Sequence, residues 1–497
     1  MGTVGMGIQD EQALVAGAVT SAPSVPLVIG GIAVAGGLGT YPVVNPATPA
    51  EVVLLAPSAS PAQLDAAVSA ARRSQPAWAG RTLAERAAVV ERACDQASVA
   101  IDFETLSALL TREHGKTAVE SLFDLSAALA MTSALAPLMA ASMAPEPAGT
   151  SIVERVPDGV VAAVLPFNWP AAVMGNKVLP ALLAGNTVVV KTPPTCPGAV
   201  LEVVRRLAAG LPEGVLSAVN GPGPSLGAAL VSHPGIDMVS FTGGVATGRA
   251  VLAACAPRLR PAVLELGGND PAIMAPDVEP DDDLARRLLD AAFTTSGQVC
   301  MAVKRVYVPH GSLDRWRDAL AAALADTVVG DGLDPEVTMG PVHTEASRER
   351  IETLIAGAEA AGGRVVRPAA VVGGPTGWFV PPALVVGPDP GCDLVVDEQF
   401  GPALPLLGYR DLDDAVAQAN DTRFGLCASI WSGDVDLADT VAARLNAGTV
   451  WTNAHGMGAM DHLAPMGGWG DSGLGLELGI EGMAAFTRPR TMRKGAR

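Results

Sequence analysis

Charged and aromatic residues are both scarce in this sequence. Only 17% of its 497 residues are charged and 4% are aromatic, whereas 49% are hydrophobic. Disordered chains have the opposite balance, so this composition predicts a globular protein with a large buried core. Basic residues are also outnumbered, 33 against 51 acidic ones, which gives a formal net charge of −18. Nucleic acids and anionic membranes attract clustered Lys and Arg, so neither is expected as the main partner.

Cysteine is rare as well, and its spacing predicts no zinc site. The six cysteines stand far apart, with no pair separated by two residues and no His at the spacing of a zinc ligand. The sequence therefore predicts no metal, reduced thiols and a cytoplasmic location. Charge is absent from residues 13–50, but Pro23, Pro26 and several glycines interrupt this stretch. We expect a loose N-terminal tail over residues 1–26 and no membrane anchor.

The order of apolar and amphipathic segments predicts two α/β regions. Short strands are expected between residues 27 and 56. Helices are expected over 61–74, 82–99, 103–112 and 119–136, where apolar residues recur every three or four positions. From Val160 onward apolar strands alternate with helices, which is typical of a doubly wound parallel sheet, and the alternation resumes after Glu265. A chain of this length is expected to form two or three domains.

A cysteine near the middle of the chain has the surroundings of a nucleophile. Cys300 follows a helix-like run and lies in the turn 294–301. A cysteine reacts as its thiolate, and its usual pKa of about 8.5 calls for nearby positive charge, helix amides or a base. Glu265, on a Gly-rich turn after the apolar strand 261–264, is the candidate base. The alternatives are a small buried hydrophobe at Cys300 and a surface strand end at Glu265.

Six short motifs follow one another along the chain. They are 166–170 (Pro-Phe-Asn-Trp-Pro), 241–244 (Phe-Thr-Gly-Gly), 265–268 (Glu-Leu-Gly-Gly), 297–300 (Gly-Gln-Val-Cys), 398–402 (Glu-Gln-Phe-Gly-Pro) and 465–468 (Pro-Met-Gly-Gly). Their order and spacing resemble those of NAD(P)-dependent aldehyde dehydrogenases over about residues 40–493. The resemblance implies the aldehyde dehydrogenase fold: a Rossmann-like parallel-sheet cofactor domain, a second α/β catalytic domain and a small β oligomerisation arm. The implied boundaries are 27–140 and 157–264 for the first domain, 265–477 for the second, and 141–156 with 478–497 for the arm.

The resemblance also implies the oxidation of an aldehyde to its carboxylic acid. The Cys300 thiolate would add to the carbonyl carbon, and the Asn168 amide and the Cys300 N–H would stabilise the oxyanion. Loss of hydride to NAD or NADP would leave a thioester, which water activated by Glu265 would hydrolyse. Lys177 and Glu477 match positions near the proton exit from this base, and a structural salt bridge is the alternative for both.

The expected cofactor site departs from the usual dinucleotide fingerprint. No GxGxxG stands in the first βα turn, and the turn 240–248 takes its place, because its glycines and helix start can present free amides to a diphosphate. Many NAD-using relatives carry a glutamate three residues after the ribose-binding lysine, whereas Pro194 stands here. Without that glutamate, no carboxylate would repel the 2′-phosphate of NADP, so the sequence does not decide between NAD and NADP. The implied cofactor-binding residues are Lys191, Gly223, Gly243, Gly248, Leu266, Glu398, Phe400 and Phe167.

The substrate pocket is expected to take a small-molecule aldehyde. Asn176 departs from the aromatic residue common at its position in relatives that oxidise apolar aldehydes, and its amide suggests an oxygen-bearing substrate. The expected wall residues are Trp169, Val173, Asn176, Val299, Met301 and His455.

Oligomerisation and three rival functions complete the expectations. The strand 151–156 and the tail 486–492 would leave an unpaired edge, so a homodimer or homotetramer is expected. A CoA-acylating dehydrogenase of the same superfamily would pass the thioester to CoA, but such relatives typically lack the base that Glu265 supplies. The second rival is a non-enzymatic protein on the same fold, and the third is a cofactor-free thiol hydrolase.

Overall fold

A doubly wound sheet lies at the centre of the first half of the chain. The computed structural model describes residues 22–130, 132–374 and 376–493. The strands of this half are β1 (Leu27–Ile29), β2 (Ile32–Val34), β3 (Thr40–Asn45), β4 (Thr48–Pro57), β5 (Glu146–Ala148), β6 (Ser151–Pro157), β7 (Val160–Val164), β8 (Thr187–Lys191), β9 (Leu216–Val219), β10 (Met238–Thr242) and β11 (Ala262–Glu265). Its helices are α1 (Pro61–Ala79), α2 (Leu83–Ala100), α3 (Phe103–His114), α4 (Ala118–Ala130), α5 (Thr132–Ser142), α6 (Pro170–Ala184), α7 (Gly198–Ala209), α8 (Ser225–Ser232) and α9 (Val245–Cys255).

Five parallel strands form the middle of this sheet, in the order β9-β8-β7-β10-β11. The chain runs from β7 outward through β8 to β9, and then returns to add β10 and β11 on the other side of β7. Such a reversal is a topological switch point, and ligands of open α/β sheets bind there, outside the carboxyl ends of the strands. The fold therefore predicts a binding site beyond the ends of β7 and β10.

Helices cover both faces of the sheet because its inner strands are apolar on both sides. Every residue of β7 and β8 is buried, as is typical of parallel strands. One face packs against α1, α8 and α9, and the other against α2, α6 and α7. The predicted Rossmann-like sheet is confirmed.

The second half contains another, mostly parallel sheet. The strands of this half, which belong to several sheets, are β12 (Asp270–Met274), β13 (Val303–Pro309), β14 (Val328–Val329), β15 (Arg364–Val366), β16 (Ala370–Val371), β17 (Ala383–Val386), β18 (Ala403–Tyr409), β19 (Phe424–Gly425), β20 (Cys427–Trp431), β21 (Thr449–Thr452), β22 (Trp469–Gly470), β23 (Gly473–Leu474) and β24 (Thr487–Arg493). Its helices are α10 (Asp282–Phe293), α11 (Leu313–Leu324), α12 (Glu345–Ala360), α13 (Asp393–Val396), α14 (Leu412–Asn420), α15 (Val435–Ala442) and α16 (Gly479–Ala484). The sheet order is β15-β17-β18-β13-β12-β20-β21, in which only β15 runs antiparallel to its neighbour.

A separate three-stranded antiparallel sheet joins the C-terminal strand of the described chain to two strands between residues 146 and 157. β24 pairs with β6 along its whole length, from Thr487 opposite Pro157 to Arg493 opposite Ser151, and β5 flanks β6. The residues just before β24 are not part of this sheet. β23 pairs with β11 of the first sheet, and the side chains of Met483 and Phe486 are buried against the helices of that sheet. The strand of the arm thus begins at Thr487, nine residues after the predicted boundary at 478.

Two predicted segments differ from the observed elements. The single helix expected over 119–136 is two helices, α4 and α5.

No single helix of the described residues is long and apolar enough to cross a membrane. Only a pair of helices bent by 47°, Ala118–Ala130 with Ala134–Ser142, is long and apolar enough when the two are taken together. Residues 1–21 of the predicted tail lie outside the described residues, and Pro23 already accepts a hydrogen bond from Leu55 N.

Candidate active site

Two adjoining cavities lie at the switch point of the first sheet. The catalytic cavity has a volume of about 260 Å³ and contains Cys300, Glu265 and Asn168 in its lining. The nucleotide groove has a volume of about 520 Å³ and follows the ends of β7, β8 and β10. The two share the lining residues Pro166, Phe167, Thr242, Gly243 and Gly244. A long ligand lying in the groove would therefore reach the catalytic cavity.

The loop that carries Cys300 has an unusual backbone. After α10 the chain makes a short turn in which Thr295 and Ser296 have left-handed conformations, with φ of 54° and 56°. Such conformations cost about 1–3 kcal/mol each in non-glycine residues and persist only where neighbours hold them. The Ser296 hydroxyl donates to Gly340 O at 2.8 Å, and Thr295 N donates to Glu120 Oε1 at 2.6 Å. Gly297 follows with φ of 71°, and a Cβ there would lie 2.5 Å from Gly401 O.

The Cys300 thiol is neutral in its apolar surroundings. The pKa of Cys300 is raised to about 12, chiefly by burial and with smaller contributions from Glu265 and Glu398, while Lys304 lowers it. The Lys304 ammonium is buried and donates to Val299 O at 2.6 Å and to Cys300 O at 3.3 Å. Lys304 therefore fixes the backbone around the thiol and supplies the nearest positive charge to it.

Asn168 lies at the start of α6, between two anchors. Its Nδ2 donates to Gln298 O at 2.9 Å, which uses one of its two amide hydrogens and ties it to the Cys300 loop. Its backbone oxygen accepts from the Lys116 ammonium at 2.6 Å. Lys116 is itself paired with Asp124 at 3.0 Å, and both side chains are fully buried. The second Asn168 amide hydrogen remains available to the cavity.

Glu265 ends β11 beside a buried charge network. Its Oε1 is buried and has no hydrogen-bond partner among the described residues. Burial raises the pKa of Glu265 well above its usual value, and the neighbouring Glu477 raises it further while Lys177 lowers it. Lys177 forms a buried ion pair with Glu477 and donates to Ser240 Oγ at 2.9 Å. Lys177 thus forms the predicted structural salt bridge, and it also acts electrostatically on Glu265.

The nucleotide groove presents donors at one edge of the sheet. Lys191 lies opposite Val164 in the strand register and lines the groove, and burial lowers the pKa of its ammonium to about 8. Helix α9 starts at the groove with Gly244 as its N-cap, and no side chain caps its first amides. Thr242 Oγ1 is buried without a hydrogen-bond partner in the described chain. Free amides at a helix start and an unpaired hydroxyl fit an anionic, hydrogen-bonding ligand.

Glu398 and Phe400 lie where the groove meets the catalytic cavity. Glu398 Oε1 accepts from Gly268 N at 3.0 Å, and Glu398 and Phe400 both line the catalytic cavity. Phe400 has a left-handed backbone with φ of 47°, and its ring meets the Phe167 ring edge-on at 5.8 Å between centroids. Phe167 stacks in turn on His343 at 4.4 Å. Aromatic rings therefore line the passage between the cavities.

The structure brings most of the predicted site residues together. Those lining one or both cavities are Cys300, Glu265, Asn168, Lys191, Gly223, Gly243, Leu266, Glu398, Phe400, Phe167, Trp169, Val173, Asn176, Val299 and Met301. Lys177 lies behind the cavity wall, paired with the lining residue Glu477.

Two further predicted site residues line neither cavity. His455 was expected in the pocket wall, but its ring is fully buried outside the cavity, with Nδ1 2.8 Å from Ser429 Oγ and the ring beside Trp451. Gly248 was expected at the diphosphate, but it faces Leu266, and a Cβ there would lie 2.5 Å from Leu266 Cδ2. Gly248 therefore allows α9 to pack closely on the turn after β11.

Sequence reasoning missed the supporting residues Lys116, Asp124 and Lys304. A sequence signal existed for Lys116, since a lone lysine after Gly115 precedes an apolar helix, but its contacts depend on tertiary packing. The described residues contain no group of three His, Cys, Asp or Glu side chains that could hold a metal ion.

Known proteins resemble this chain over most of its length. The sequence model of the aldehyde dehydrogenase family matches residues 34–492. Geranial dehydrogenase of Castellaniella defragrans is 37% identical over 459 residues, which cover 89% of this chain and 93% of that protein. A betaine aldehyde dehydrogenase of Cereibacter sphaeroides is 35% identical and covers 91% of this chain and 93% of its own length.

Solved structures show the same fold. A mutant of aldehyde dehydrogenase C from Pseudomonas syringae, complexed with NAD+ and octanal, superimposes with a TM-score of 0.88 at 33% identity. The match covers 94% of this chain and 96% of that one. An NADP-dependent enzyme of E. coli matches with a TM-score of 0.88 at 32% identity, over 94% of this chain and 98% of that one.

Proposed function

The chain belongs to the aldehyde dehydrogenase family, and on that premise we propose that it oxidises an aldehyde to its carboxylic acid with NAD or NADP, through a covalent adduct on Cys300. One observation carries the proposal: a single cavity brings together a thiol, a carboxyl group without a hydrogen-bond partner in the described chain and an amide, and it opens into a groove at the switch point. Each of these groups suits one step of the oxidation.

The groove fits a dinucleotide. The unpaired Thr242 hydroxyl, the uncapped start of α9 and the open space beside Gly244, where a Cβ would have no neighbour within 4 Å among the described residues, support a bound diphosphate. Lys191 would hold the adenosine ribose, and Glu398 the ribose at the catalytic end. Pro194 lines the groove in place of a carboxylate, which allows either cofactor. The chemistry that bound NAD(P) supplies is acceptance of a hydride.

The Cys300 thiol first loses its proton to water, and the first covalent step is addition of the resulting thiolate to the carbonyl carbon of the aldehyde. The carbonyl π electrons move to oxygen, and the oxyanion accepts from the free Asn168 amide hydrogen and the Cys300 N–H. The Gln298 contact and the Lys116 contact orient the Asn168 amide for this purpose. Loss of a hydride from the tetrahedral carbon restores the carbonyl and leaves a thioester on Cys300.

Hydrolysis of the thioester is assigned to Glu265. Its carboxylate takes a proton from water, the water oxygen adds to the thioester carbon, and the sulfur leaves as the carboxylic acid forms. The raised pKa of Glu265 makes it a stronger base once it is ionised. A base in this position favours transfer of the acyl group to water over transfer to CoA.

Substitution of Cys300 tests the proposal. We expect Cys300→Ala to abolish NAD(P)H formation with every aldehyde, while equilibrium binding of the nucleotide stays within a few-fold. Cys392→Ala is the matched control, because Cys392 is half-buried and lines neither cavity. Sustained turnover by pure Cys300→Ala protein would refute the nucleophile.

We also propose a cytoplasmic homo-oligomer. Cys196, Cys255 and Cys427 are reduced thiols, as is usual in a reducing compartment. The arm of β5, β6 and β24 leaves sheet edges that a second copy could cover.

A further inference from the structure

One part of the catalytic cavity is built almost entirely of hydrocarbon and thioether groups. This part, here called the tunnel, is lined by Val173, Val299, Met301, Met457, Met460 and Met466. Methionine side chains are flexible and polarisable, so they adapt to irregular apolar shapes. With about 260 Å³ for the whole cavity, the tunnel suits a small, extended hydrocarbon body.

The tunnel has no partner for an anion. No Lys, Arg or His belongs to the cavity lining formed by the described residues. Three buried ammonium groups nearby are already engaged: Lys116 with Asp124, Lys177 with Glu477, and Lys304 with the backbone carbonyl of Val299. A carboxylate at the far end of an aldehyde would therefore be desolvated without an opposite charge to offset the cost.

The tunnel also offers little to a cation, because two glutamates of the cavity lining are already engaged, Glu477 with Lys177 and Glu398 with Gly268 N. Quaternary ammonium groups are usually bound against several aromatic faces. Among the described residues, Trp169 is the aromatic side chain that both lines the cavity and packs with Val299 and Met301, and the Lys116 ammonium already lies 4.1 Å from the centre of its ring. The Phe123 ring meets Trp169 edge-on at 5.8 Å. A second cation near Trp169 would be repelled by Lys116.

One neutral polar side chain interrupts the apolar wall. Asn176 lies on the same face of α6 as Val173 and Trp169, and it lines the cavity. Its amide forms no hydrogen bond to any residue in the described part of the chain, whereas the Asn168 amide is bonded to Gln298. An unpaired amide beside hydrocarbon favours a ligand that brings one oxygen to it.

Building on the proposed aldehyde oxidation, we propose that the tunnel selects an uncharged aldehyde with an extended hydrocarbon body that carries one neutral oxygen function opposite Asn176. The aldehyde carbon lies at Cys300, the hydrocarbon lies against the methionines, and the oxygen accepts from the Asn176 amide.

A series of aldehydes of equal chain length tests the class. The series comprises an unsubstituted alkanal and the same chain ending in a methoxy, a trimethylammonium or a carboxylate group. We expect kcat/KM for the two neutral aldehydes to exceed that for either charged one by at least about 100-fold, and the methoxy compound to be the best substrate. A charged aldehyde that equals the alkanal would overturn the proposal.

Chain length separates this inference from the proposed function. Each methylene that the tunnel covers should raise kcat/KM about four-fold, which corresponds to about 0.8 kcal/mol of transfer free energy. If propanal is oxidised but longer neutral aldehydes are no better, the tunnel assignment fails and aldehyde oxidation stands. If no aldehyde in the series is oxidised, both fail.

Two substitutions locate the determinants. Asn176→Leu should erase the preference for the methoxy compound, and Met460→Glu should raise kcat/KM for the trimethylammonium compound by at least about 10-fold. Val99→Glu on α2, with an exposed side chain outside the cavity, is the control and should change neither ratio. An unchanged methoxy preference in Asn176→Leu would remove Asn176 from the proposal.

Binding provides a readout without turnover. Calorimetry of the alkanal with Cys300→Ala protein should show a negative heat-capacity change, the signature of buried apolar surface. A heat-capacity change near zero with measurable binding would contradict the hydrocarbon contact.

Discussion

The buried ion pair of Lys116 and Asp124 should support the oxyanion donor from behind. The Lys116 ammonium contacts Asp124 Oδ2 at 3.0 Å, Asn168 O at 2.6 Å and the Trp169 ring at 4.1 Å. Asp124 Oδ1 accepts from Ala172 N at 2.7 Å, in the first turn of α6. Together the two side chains hold the loop from which the Asn168 amide reaches the cavity.

Lys116→Met removes the charge and keeps most of the side-chain volume. Breaking a fully buried ion pair costs about 3–5 kcal/mol, because the remaining charge has no partner. The same ammonium makes the contact to Asn168 O, so the stability lost with that contact is included in this cost. We expect unfolding to become easier by this amount in chemical denaturation. Arg72→Met is the control, since Arg72 pairs with Asp237 at the surface and such pairs contribute at most about 1 kcal/mol.

The double variant Lys116→Met with Asp124→Leu separates stability from catalysis. Replacing both charges with apolar side chains should restore most of the stability. The carbonyl of Asn168 would still lack its donor, so kcat should remain about 10- to 100-fold below that of the parent, as a small displacement of a catalytic group predicts. The nucleotide Kd should not change, because Lys116 does not line the groove. Full kcat in a stable double variant would refute the positioning role.

Three further outcomes follow from the site and the arm. Glu265→Gln should give a burst of NAD(P)H of at most one equivalent per site and then stall, with an acyl adduct on Cys300 detectable by mass spectrometry; unchanged steady turnover would exclude Glu265 as the hydrolytic base. Since burial raises the pKa of Cys300 to about 12, the thiolate fraction grows with pH, and the alkylation rate of the nucleotide-free protein by iodoacetamide should rise about tenfold per pH unit up to at least about pH 9. A plateau near neutral pH would contradict that environment. Light scattering should show an oligomer, and removal of residues 487–497 should shift it towards monomer because β24 covers one edge of β6; a monomeric parent protein would contradict the role of the arm.

The main site residues could be predicted because each belongs to a short motif at the end of an element. Glu265 ends β11 next to Thr242 at the end of β10, and Val164 at the end of β7 pairs with Lys191 at the end of β8. Parallel strands bring their carboxyl ends to one edge, so strand order alone places these residues together.

Other contacts depend on packing that no local pattern encodes. The expected wall residue His455 points instead towards Ser429 on β20, with its ring beside Trp451. The contact of Lys116 with Asn168 joins the segment before α4 to the loop before α6, across 52 positions of sequence. Lys116 precedes α4, so helical periodicity does not predict the carbonyl that its ammonium contacts.

The short segment from His114 to Asp124 supports both catalytic loops. Glu120 accepts from Thr295 N in the strained turn before Cys300, and Lys116 donates to Asn168 O in the loop of the oxyanion donor. These two loops are more than a hundred residues apart in sequence, yet Asn168 Nδ2 also bonds to Gln298 O directly. The proposed nucleophile and the proposed oxyanion donor are thus fixed relative to each other twice, once by the Asn168–Gln298 contact and once through the same segment. Because thiol addition and oxyanion stabilisation must occur in one geometry, this shared support is what the oxidation requires.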